Sequence, residues 1–152
     1  MKSFKFVLAF ILLFSCLNSI HAQSVTVSDE MKDLKSMVDK MNSLCPLNDG
    51  KSTIVGFVLE EDVLALAVLK EINDYDTLIA DNSAQALKEK EIEKILTDKN
   101  LLNLSAKCFL AKTDYVVILR NSLNKSQYTS VKITVDELRR IFATIFTESQ
   151  RK

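Results

Sequence analysis

The stretch STIVGFVLEEDVLALAVLK, residues 52–70, decides the architecture. Two apolar runs flank the acidic triplet Glu60-Glu61-Asp62. Each run is too short for a typical helix and is rich in Val, Ile and Leu, so residues 52–59 and 63–70 read as strands of a hairpin. The second run, VLALAVL, is apolar on both sides, which places it centrally in a sheet. Whatever lies outside this hairpin either extends that sheet or packs on it.

Upstream, Ser28 caps a helix with Asp29 and Glu30 in its first turn. Met31, Leu34, Val38 and Met41 form its apolar stripe, widened by Met37 and Leu44. Pro46 ends it, because the residue before a proline is pushed out of the helical region, and LNDG (residues 47–50) makes the turn into the first strand. Three methionines on one helix could form an adaptable groove, but at this spacing they read as core.

Downstream, INDYDTLIADNS (residues 72–83) has no assigned local structure. Asn82 and Gln85 resemble a capping box for a helix over residues 83–97. Its KEKEIEK segment reads as a solvated face, with Ala84, Leu87, Ile92, Ile95 and Leu96 inward. Residues 106–110, 115–120 and 130–135 read as strands, the last alternating Val131, Ile133, Val135 against Ser130, Lys132, Thr134. Thr134 and Glu137 form a capping box for a closing helix whose stripe is Leu138, Ile141, Phe142, Ile145, Phe146. The order α-ββ-α-βββ-α predicts an α+β fold, an antiparallel sheet with three helices packed on one face. Setting Phe57-Val58 on Phe109-Leu110 and Asp62 on Asp114 suggests a diverged αββ duplication; the generic look of amphipathic hairpins is the alternative.

The first residues set the compartment. Lys2 and Lys5 precede the apolar run FVLAFILLF (residues 6–14), too short to span a bilayer as a helix, which takes about 20 residues. Ile20-His21-Ala22 then offers a small residue for cleavage, so residues 1–22 read as a signal peptide cut between Ala22 and Gln23, and residues 23–152 as one α+β domain. The alternative is a degenerate lipobox, Leu13-Phe14-Ser15-Cys16, with lipidation at Cys16 as the only link to a membrane. The protein is therefore expected to be exported, either periplasmic or secreted, with an outer-membrane lipoprotein as the alternative.

Cleavage at Ala22 leaves 18 basic against 20 acidic residues, which offers no electrostatic footprint for nucleic acid. The only histidine, His21, leaves with the signal, so the domain has no imidazole. Cys45 sits at the C-terminal end of its helix, where the dipole disfavours thiolate, and neither it nor Cys108 has a base. Two cysteines without histidine fall short of a zinc site. In an oxidising compartment they read as a disulfide, Cys45–Cys108, worth roughly 4 kcal/mol on the loop-entropy model; two buried free thiols are the other reading. Glu60-Glu61-Asp62 reads as a solvated turn. Asp74, Asp76 and Asp81 form the slightly better cation candidate in the 71–83 acidic loop. No catalytic, cofactor-binding or metal residue is expected.

Two motifs carry a resemblance. Asn42, Cys45 and Pro46 after the first helix, with Thr134, Asp136, Glu137 and Leu138 at the last helix start, resemble a pattern in small secreted or lipoprotein-like proteins of Bacteroides-type bacteria. That family has no assigned activity, so the resemblance implies location and fold. Asp76-Thr77-Leu78 resembles the short O-glycosylation signal of such envelope proteins. Asn103-Leu104-Ser105 and Asn124-Lys125-Ser126 are formal N-glycosylation sequons, relevant only in a eukaryotic host. The expected function is an exported, non-enzymatic envelope module that binds a protein or another envelope component. The alternatives are a metal- or carboxylate-dependent hydrolase using the acidic loop, and a structural or inhibitory subunit.

Overall fold

A computed structural model describes residues 28–149. The elements run α1 (Asp29–Leu44), β1 (Leu47–Asn48), β2 (Ser52–Glu60), β3 (Ala65–Ile72), α2 (Tyr75–Asp81), α3 (Ala84–Thr97), α4 (Lys99–Leu110), β4 (Asp114–Asn121), β5 (Tyr128–Ile133) and α5 (Val135–Ser149). The fold is α+β, as the pattern implied, but with five helices among the described residues and a mixed sheet.

The sheet order is β1-β2-β3-β4-β5, and every neighbouring pair is antiparallel except β3 and β4. The antiparallel-only expectation fails at that pair because α2, α3 and α4 carry the chain back before β4 begins. A parallel neighbour needs just such a crossover. The hairpin reading holds, and β3 is central as its two-sided apolar pattern required. Its first residues differ from the expected bounds: Leu64 adopts φ 50° in the turn, so pairing starts at Ala65.

The expected strand over residues 106–110 lies in α4 instead. Leu101, Leu104, Ser105 and Cys108 recur at helical spacing and are buried, and the Asp98 carboxylate accepts from the Asn100 and Leu101 amides at the helix start. With Phe109-Leu110 helical, the proposed αββ duplication loses its second hairpin strand. The unassigned 72–83 stretch contains α2, and LNDG contributes a two-residue strand as well as a turn. The closing capping box forms as written: Glu137 Oε2 accepts from the Thr134 amide at 2.8 Å, and Thr134 Oγ1 accepts from the Glu137 amide at 3.3 Å.

One sheet face carries the core. Phe57, Val68, Val117 and Val131 lie in one cross-strand row, and Leu66, Tyr115 and Ile133 in the next. Met31, Leu34, Val38 and Met41 of α1, Leu87 and Ile95 of α3, Leu104 and Cys108 of α4 and Leu138 of α5 close over them. Met37 packs at the border of this cluster, so the methionines are core. The helix α3 runs over the sheet from Lys88, paired with Glu137 at 2.5 Å, to Lys94, paired with Asp49 at 3.4 Å. That crossing creates the site described next.

Candidate functional site

The period of β3 turns Leu66, Val68, Lys70 and Ile72 to the helices. Lys70 therefore enters the core row between Ile54 and Leu119, where an aliphatic residue would be ordinary. The inward stripe of α3 is Leu87, Glu91, Ile95, four residues apart, so a glutamate lies over that lysine. Lys70 and Glu91 form an ion pair with side chains only 2% and 7% exposed. Burial draws the Lys70 ammonium below the ordinary lysine range; the charge and hydrogen bond of Glu91 pull it back up, and nearby Lys94 lowers it further.

Asp49 sits at the mouth. Its carboxylate accepts from the Lys51 amide at 3.0 Å, the Ser52 amide at 2.6 Å and the Ser52 hydroxyl at 2.9 Å. Burial would raise its pKa, but these bonds and the Lys94 charge outweigh it and bring the pKa down to about 2. Gly50 takes φ +88° in this turn, a conformation that suits glycine, and its amide donates to Asn48 Oδ1 at 2.6 Å. Lys94 reaches toward both Asp49 and, at 4.0 Å, Glu91. The chain Lys70–Glu91–Lys94–Asp49 thus runs from the core to the surface.

A cavity lies on each side of Lys94. The first, of about 390 Å³, has mixed walls: Met41, Leu47, Ile54 and Leu101 on the apolar side, with a polar majority that includes Asp49, Lys70, Lys94 and Asp98. The second, of about 440 Å³, reaches Glu91, Ile72 and Leu119. Both fall in the size range of ligand pockets. Among the described residues, no buried side-chain nitrogen or oxygen lacks a hydrogen-bond partner.

The residues singled out from sequence lie elsewhere. Cys45 and Cys108 are free thiols, so the expected disulfide is not made. The reason is placement: Cys45 follows α1 and donates to the Met41 carbonyl at 3.4 Å, whereas Cys108 is buried inside α4 and not at a strand edge. Burial raises both thiols, Cys108 far more. Asp74 precedes α2 and accepts from Thr77 Oγ1 at 2.8 Å, while Asp76 and Asp81 are exposed along that helix. Among the described residues no three His, Cys, Asp or Glu side chains gather at metal-binding distance. Glu61 of the acidic triplet pairs with Lys35 at 2.6 Å. Asn103 is exposed but Ser105 of its sequon is buried; Asn124 lies in the β4–β5 loop, its Oδ1 accepting from Ser126 Oγ at 2.7 Å. Cys16, Ala22 and Gln23 lie outside the described residues.

Asn42, the first residue of the N-x-x-C-P pattern, has a definite role. Its side-chain amide donates to the Phe57 carbonyl and accepts from the Phe57 amide, both at 2.8 Å, pinning α1 to the outer edge of β2. The buried Lys70–Glu91 pair was missed. Its signal was present: a lysine closing an apolar strand, and a glutamate four residues from both Leu87 and Ile95.

No family model matches the chain, and no curated protein matches it. The fold is similar to that of a Pseudomonas aeruginosa protein presumed to be secreted, with TM-score 0.57 and 8% identity over 77% of this chain and 99% of that one. A pilotin of the Vibrio vulnificus type 2 secretion system aligns at TM-score 0.49 and 13% identity, over 72% of this chain and 96% of that one. The first of these likenesses is one of fold.

Proposed function

We propose that the protein is an exported, non-enzymatic module of the cell envelope that binds a protein partner. The observation that carries this reading is the cleft around Lys94, which has the volume of a binding site and mixed polar and apolar walls but spends its charges on one another. Lys70 is held by Glu91, Asp49 by Ser52, and Asp98 by the amides it caps, so no acid, base or nucleophile is turned toward the cavity in an activated state. Export rests on the leader-like residues 1–22 and is consistent with the fold shared with a protein presumed secreted. The N-x-x-C-P resemblance belongs to the same reading, since Asn42 serves architecture and not chemistry.

Two measurements test it. Intact mass of the exported chain should fit a start at Gln23 or a lipidated Cys16; an unprocessed Met1 start in the cytoplasm overturns export. The exported chain, immobilised and exposed to envelope extract, should retain a protein that rebinds in purified form at equal stoichiometry. Failure to rebind any envelope protein, together with turnover in a hydrolase screen, overturns the module reading.

A further inference from the structure

We draw no further inference here: the strongest candidate, the cavity between α2, α3 and the sheet with Lys51, Lys90 and Lys94 among its lining residues, is walled mostly by polar side chains over buried Ile72, Leu87 and Leu119, and nothing in the structure shows what fills it.

Discussion

Removing one half of the Lys70–Glu91 pair should destabilise the domain severely, while removing both halves should not. Glu91→Leu leaves the Lys70 ammonium with a side chain 2% exposed and no counter-charge. A buried charge stripped of its partner costs about 3–5 kcal/mol, a large share of the roughly 5–15 kcal/mol by which domains are stable. Lys70→Met alone strands the carboxylate of Glu91, 7% exposed, at a similar cost, lessened by Lys94 at 4.0 Å. The double variant Lys70→Met/Glu91→Leu fills the same space between Ile54, Leu119 and Leu87 with apolar groups. Replacing a buried pair by packed apolar residues is commonly neutral or stabilising by about 1–4 kcal/mol. Urea unfolding followed by circular dichroism, arranged as a double-mutant cycle, reads these values directly. A single substitution costing under about 1 kcal/mol would show that water reaches the pair, and the burial argument would fail. A double variant as unstable as the sum of the singles would refute the claim that the penalty is electrostatic. The pH response follows in sign. The Lys70 pKa is lower in the folded than in the unfolded chain, so the unfolded chain binds more protons between the two values. The Lys70 contribution to stability should therefore rise as pH climbs through its depressed value toward the ordinary lysine value of 10.5, and this rise should be absent in the double variant.

Other outcomes follow from single features. Asn42→Ala should cost about 1–3 kcal/mol, since it leaves the Phe57 amide and carbonyl without their partner; a change near zero in urea unfolding would show that water replaces the amide freely. Asp49, lowered to about 2 from 3.8, contributes stability above its unfolded value that is lost as pH falls through that window. Because its side chain is half exposed the contribution is screened, and Asp49→Asn should flatten the acid limb of thermal stability by about 1 kcal/mol or less. Iodoacetamide should label Cys45 in the native chain and Cys108 only after denaturation, and the alkylated mass should be the same with and without reductant. Labelling of neither thiol without reductant would restore the disulfide.

Much of the fold was legible because pattern and packing agree locally. The hairpin of β2 and β3, the capped start and apolar stripe of α1, and the Thr134–Glu137 box of α5 depend on residues within a turn or two of one another. Where the reading failed, two periods competed. AKCFL alternates well enough for a strand, but Cys108 completes a helical stripe with Leu101, Leu104 and Ser105 that begins before the segment. Once that helix is missed, the crossover shortens and β4 appears to return antiparallel. The site was hidden for another reason. Lys70 looked like the polar end of a strand, and Glu91 sat in a charged run that reads as solvated, yet each is buried because the other neutralises it. Neither position is decipherable alone, since the two partners lie 21 residues apart in sequence and meet only when α3 packs over β3.

The Asn42 contact also shields part of the sheet edge on this side. An open strand edge invites pairing with any extended chain, and proteins usually shield it. At Phe57 the outward amide and carbonyl of β2 are already occupied by the Asn42 side chain, which imitates a neighbouring strand. Nearer the turn, β1 covers Thr53 and Ile54. On this side β1 is thus the outermost strand near the turn, beside the first cavity, and β2 is shielded at Phe57. Shielding the long strand at Phe57 lessens a general aggregation hazard. If that is the role of Asn42, Asn42→Ala should do more than destabilise. It should let extended peptides of any sequence pair along β2, read as a saturable shift of the Phe57 amide signal, even at temperatures where the variant is fully folded. A folded variant whose Phe57 signal no peptide shifts would confine Asn42 to holding α1 in place.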